Sequence, residues 1–157
     1  LDGVEDPAVS ALALKLFKKD KSARVSAAAG YLLGKPAHAG VKAEATAAMV
    51  AALEGDAPTP VKRAAIQSLA KLEHAAAVPA LIKLLDDPLV GANAIMAVAA
   101  FDRHKTYDPV KVAKALEALI ATLDKTAASD RAAGMARDLA TRHLKRINLK
   151  LKAAGKK

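Results

Sequence analysis

The 157-residue chain contains no cysteine and no tryptophan. Without cysteine there are no disulfides, no thiolate nucleophiles and no cysteine-held metals. Phenylalanine and tyrosine occur twice each, which excludes an aromatic-rich β core. The chain has no unbroken apolar run of the roughly 18 residues a membrane-crossing helix requires. It also shows no signal-peptide pattern. Leu1 stands where an initiating methionine would, which points to a missing upstream segment: a removed signal peptide, a removed neighbouring domain or an artificial boundary of the chain. The compartment stays open between cytoplasm and export.

What fills the chain is alanine, at 40 positions, and leucine, at 20. Alanine is the best helix former and a poor strand residue, so the composition implies an all-α fold with closely approaching helices. The length suits a single domain with one core. Asp6-Pro7, Asp20 to Ser22, Gly34-Lys35-Pro36, Gly40, Gly55 to Pro60, Asp87-Pro88, Asp108-Pro109 and Thr126 to Asp130 punctuate the sequence. Between these marks, apolar residues recur at helical spacing. The pattern predicts eight helices, over about 7–19, 22–34, 40–54, 59–72, 75–86, 88–101, 109–124 and 129–150. Asp20 or Ser22 is expected to cap the second. The pairs Thr59-Pro60, Asp87-Pro88 and Asp108-Pro109 each offer a cap followed by proline at the first helical position. Pro79 fits only within a helix's first turn, which delays the start of the fifth helix to about Ala76 or later.

The even-numbered helices repeat one another. Val25 is followed by Ala29 and Leu32-Leu33, Val61 by Ala65 and Leu69, and Val90 by Ala94 and Val98. One helix pair cannot bury its own apolar side, whereas stacked pairs can. The expected architecture is therefore an α-solenoid of about four antiparallel helix pairs, at 7–34, 40–72, 75–101 and 109–150. These form a single repeat domain over 1–157 that ends in a basic, disordered tail at 151–157. Gly30, Gly91 and Gly134 each weaken a helix by about 1 kcal/mol relative to alanine, and close interhelical contact would explain them.

The run from Ala77 to Pro88, AVPALIKLLDDP, and the run from Val61 to Leu72, VKRAAIQSLAKL, resemble the first and second helices of the HEAT-repeat family, especially its bacterial short-repeat, armadillo-like branch. The resemblance extends over about residues 8–140. It implies a protein-binding scaffold, with relatives that act on nucleic acid or bilin pigments. The family generally places a basic residue after the second-helix valine. Lys62 matches that position, while Ser26 and Gly91 do not.

No local motif carries chemistry. The four histidines, His38, His74, His104 and His143, lie in different units with no partner at i+3 or i+4, so no metal ligand set is expected. There is no phosphate-binding glycine loop and no nucleophile elbow. Ser22 and Ser129 read as caps, and Ser10, Ser26 and Ser68 as surface or interhelical residues. The acidic pairs sit at helix starts, where they favour the positive end of the dipole. No cofactor and no catalytic residue are expected, and the chain is expected to be a monomer.

The formal charge is +9, and 9 of the 25 basic residues follow position 130. Over the same stretch Asp138 is the only acid. In stacked helix pairs the second helices line the concave side, so the candidate partner-binding residues are Arg24, Lys62, Arg63, Lys71, Arg131 and Arg137. Along the last helix Arg142, Lys145 and Arg146 join them. Their sign suits a protein partner with an acidic surface or segment. One alternative is nucleic-acid binding through Arg131–Lys157. Another is a lyase or other enzyme relative with a long-range site. The last helix carries an apolar stripe at Met135, Leu139, His143 or Leu144, Ile147 and Leu151, and its 147–152 stretch also alternates with the period of an extended strand.

Overall fold

The computed structural model describes residues 6–101, 108–125 and 130–155. His104, Ser129, Lys156 and Lys157 lie outside them. Among the described residues there is no strand and there are eight α-helices: α1 Pro7–Lys19, α2 Ala23–Leu33, α3 Lys42–Glu54, α4 Thr59–Leu72, α5 Val78–Lys83, α6 Gly91–Ala100, α7 Pro109–Leu123 and α8 Arg131–Ala153. Two 3-10 segments, Pro36–Val41 and Ala75–Ala77, precede α3 and α5.

Aspartate chemistry sets many of these boundaries. The carboxylates of Asp6, Asp108 and Asp130 accept backbone N–H bonds of 2.8–3.1 Å from the first turns of α1, α7 and α8, which satisfies donors that have no intrahelical partner. Asp20 and Ser22 act in series: Asp20 accepts from the Ser22 N–H at 2.8 Å, and Ser22 Oγ accepts from the Val25 N–H. Two expected caps are corrected. Thr59 is already helical, and Pro58 occupies the cap position of α4 with no side-chain bond. Asp87 accepts from the N–H groups of Leu89 and Val90, so it closes a turn, and α6 begins later, at Gly91.

Both helices around that turn are shorter than their apolar patterns predict. Pro79 holds the start of α5 at Val78. Beyond Lys83 the chain tightens into i→i+3 bonds, Leu84 to Leu81, Leu85 to Ile82 and Asp87 to Leu84. A Cβ on Gly91 would lie 2.5 Å from the Leu85 carbonyl oxygen, so only glycine fits this approach of backbone to backbone. α8 differs in the other direction. It stays helical through Ala153, which removes the extended alternative for 147–152 and carries helix into the segment expected to be a disordered tail.

The chain divides into two compact units, Leu1–Ala80 and Leu81–Lys157. In the first unit α1 pairs with α2 and α3 with α4, and the pairs join chiefly through α2 against α4. Leu14, Phe17, Leu33, Met49, Leu53, Ile66 and Leu69 are buried there, each contributing about 1.5–3 kcal/mol relative to exposure. In the second unit α7 pairs with α8, and α8 also packs on α6, around Ile95, Val98, Leu116 and Ile147.

The α2–α4 contact is made by the smallest residues. A Cβ on Gly30 would lie 3.3 Å from Ala64 Cβ, and one on Gly34 would lie 2.9 Å from Ser68 Cα. Ser68 Oγ donates to the Gly30 carbonyl at 2.8 Å, which satisfies an acceptor in the last turn of α2. The two contacts pair residues in the same chain order, so α2 and α4 run parallel.

This geometry corrects part of the expected repeat register. Val61 and Val90 are buried as the pattern predicts, but Val25 is 38% exposed. The inward positions of α2 are Ser26, Ala27, Ala29, Gly30 and Leu33. A hydrophobicity pattern gives weight to valine and overlooks serine and glycine, the residues that permit close approach.

Two substitutions test the packing. Gly34→Ala is expected to lower stability in urea denaturation by about 1–3 kcal/mol, the overpacking range, although alanine is the better helix former. An increase would mean the helices are not in backbone contact here. Thr46 on α3 is buried with no partner for its hydroxyl. Thr46→Val keeps its shape and removes the desolvated oxygen, so the same measurement should show a gain of about 1 kcal/mol.

Candidate partner-binding surfaces

In the first unit, solvent-facing positions on the second helices follow one rotation. On α2 the exposed residues include Arg24, Ala28, Tyr31 and Lys35 just past its end. On α4 they include Arg63, Gln67 and Lys71, at successive spacings of four that keep one face. Because the helices are parallel and meet at Gly30 with Ala64 and at Gly34 with Ser68, these two exposed stripes turn to the same side. Neither helix contains an aspartate or glutamate.

Arg24, Arg63 and Lys71 are therefore brought onto one basic face. Lys62 is not. It is half-buried on the flank of α4 away from α2, so its match to the family position does not place it in a row with Arg63. Tyr31, Lys35 and Gln67 belong to this face and were not predicted. Tyr31 lies seven residues after Arg24, a helical spacing that could have signalled it.

In the second unit the candidates separate by environment. Arg131 is exposed at the first position of α8. Arg137 bonds to Asp124 at 3.4 Å and Asp138 at 3.2 Å, so its charge is locally balanced. Lys145 is exposed. Arg142 Nε donates to the Asp138 carbonyl at 3.3 Å. Arg146 Nη2 donates across to the Ala99 carbonyl of α6 at 3.1 Å and to His143 Nδ1 at 3.3 Å. Arg142 and Arg146 border a groove of about 290 Å³ between α6 and α8, with Ile95, Met96, Ala99 and Leu139 also lining it. Met96 is 53% exposed, and nothing in the sequence of α6 marks it as a surface residue.

The apolar stripe expected on α8 is partly corrected. His143 and Ile147 are buried, but Met135 is 66% exposed. Ala133 and Ala140 take the inward positions near it, since alanine allows the close helix approach that methionine prevents.

One serine–histidine pair does form. Ser10 Oγ and His38 Nδ1 share a hydrogen bond of 2.6 Å. Both side chains are buried, so no substrate can reach the hydroxyl without separating α1 from the 3-10 segment that carries His38. The bond fastens that segment to α1. Ser26 and Ser68 are likewise buried and donate to carbonyls, Ser26 Oγ to Leu16 and Asp20 and Ser68 Oγ to Gly30, the interhelical role open to them from sequence. Among the described residues no three His, Asp or Glu side chains gather where a metal could bind. None of the described helices is long and apolar enough to cross a membrane.

Comparison with known proteins agrees with this architecture. The family model for HEAT repeats matches residues 46–140, more than half of the chain. No curated protein matches, and no solved structure does. HEAT repeats are generally protein-interaction elements and typically non-catalytic. Second helix packed on second helix, α2 on α4 and α6 on α8, together with that match, makes this chain a member of the HEAT-repeat family.

Proposed function

We propose that the chain is a non-catalytic interaction scaffold that takes an acidic segment of another protein on the second-helix face of its first unit. The observation that carries the reading is that α2 and α4, which contain no aspartate or glutamate of their own, present Arg24, Lys35, Arg63 and Lys71 beside the exposed ring of Tyr31. Such a surface attracts carboxylates at long range and offers an aromatic contact at short range. The close-packed α2–α4 interface holds the two rows of side chains at a set spacing, so little conformational freedom is lost when a partner docks.

Arg63 and Lys71 are exposed on α4, away from its packed side, and suit charge reversal. Pull-down with the purified chain is expected to retain an acidic protein whether or not nuclease is added. The double variant Arg63→Glu, Lys71→Glu should reduce that retention by at least about ten-fold, the scale of buried interface charges. Retention that nuclease abolishes, and that falls steeply between low and physiological salt, would replace this reading with nucleic-acid binding.

A further inference from the structure

The groove between α6 and α8 has a mixed character that the basic face of the first unit lacks. Its α6 side is uncharged: α6 contains no ionisable residue and presents Ile95, Met96 and Ala99. Its α8 side changes along the helix. Met135, Leu139, Arg142, Arg146 and Lys150 follow one another at spacings of four, three, four and four, which keeps them on one stripe. The first two are apolar and the last three basic. Beyond Asp138, α8 carries no acid.

The cations are positioned rather than merely present. Arg146 is tied to the Ala99 carbonyl at the end of α6 and to His143, and Arg142 to the Asp138 carbonyl one turn earlier. At about 290 Å³ the hollow sits at the lower limit of small-molecule pockets and suits one or two apolar side chains. A polyphosphate would use the arginines and leave Met96 and Leu139 idle. An apolar ligand without charge would do the reverse.

We infer that this groove binds a short amphipathic segment of a partner protein, seating an apolar side chain on Met96 and Leu139 and presenting carboxylates one turn further on to Arg142 and Arg146. Charge complementarity selects the occupant: the floor rewards burial of a leucine-like anchor, and the basic end rewards acid. The inference rests on the scaffold reading above but uses a separate surface, so the two can fail independently.

The test uses the full chain and a synthetic peptide with leucines at i and i+4 followed by glutamates one turn on. The methionines are Met49, Met96 and Met135, and their carbon-13 methyl signals report on three places. Met49 is buried in the first unit and serves as the folded reference. Titration should move the Met96 signal saturably and leave Met49 in place. Met96→Asp and Arg142→Glu, both at exposed positions, should each weaken binding at least about ten-fold, as loss of an interface anchor does. Exchanging the peptide's glutamates for lysines, or its leucines for alanines, should have the same effect. Arg63→Glu with Lys71→Glu should leave the titration unchanged.

A stationary Met96 signal at saturating peptide would overturn the inference. So would a short DNA duplex that moves Met96 as far as the peptide does. Peptide binding lost only in the Arg63 and Lys71 variant would overturn the groove while sparing the scaffold reading. Peptide binding at Met96, with pull-down unaffected by reversing Arg63 and Lys71, would do the opposite.

Discussion

The first unit depends on the approach of α2 to α4 at backbone distance. Gly30 and Gly34 face Ala64 and Ser68 with no room for another Cβ at Gly34, and a serine hydroxyl bonds a carbonyl across the gap. Two helices with side chains at that seam would stand farther apart and lose the dispersion contacts that close packing supplies. The Phe17 ring of α1 closes on Gly30 as well, where a Cβ would lie 3.0 Å from it, and Leu33, Ile66 and Leu69 are buried in the same unit. The abundance of alanine follows from the same requirement.

Many of the aspartates sit where helices and turns begin. Asp6, Asp20, Asp87, Asp108 and Asp130 all accept backbone N–H bonds at turns or helix starts. Carboxylates placed there satisfy orphan donors and interact favourably with the helix dipole. The second helices themselves hold few acids. α2, α4 and α6 contain no acid, and α8 contains one. Arg24 and Arg63 on those helices are exposed, and Arg137 pairs with Asp124 and Asp138.

Much of this was legible in the residues. Helical spacing and the Asp-Pro pairs located the helices within a few residues, and the AVPALIKLLDDP and VKRAAIQSLAKL runs indicated the family. The departures share a cause. Valine is apolar, so the pattern points Val25 inward, yet glycine and serine make the contact. The apolar stripe of α8 includes Met135, yet Ala133 and Ala140 fill the inward positions. Lys62 adjoins Arg63 in sequence, but adjacent helical residues point about 100° apart.

By itself, then, the sequence determined what is local: helix content, the caps that start most helices, the limit Pro79 sets on α5, and the scarcity of acid on the second helices. These depend on residues within one or two turns of each other. The tertiary structure decided which face of each helix is shared, that Tyr31 and Lys71 look the same way, that Ser10 meets His38, and that Met96 and Arg146 border one groove. Those outcomes depend on the rotation and separation of packed helices, set jointly by residues tens of positions apart, and no local pattern encodes them.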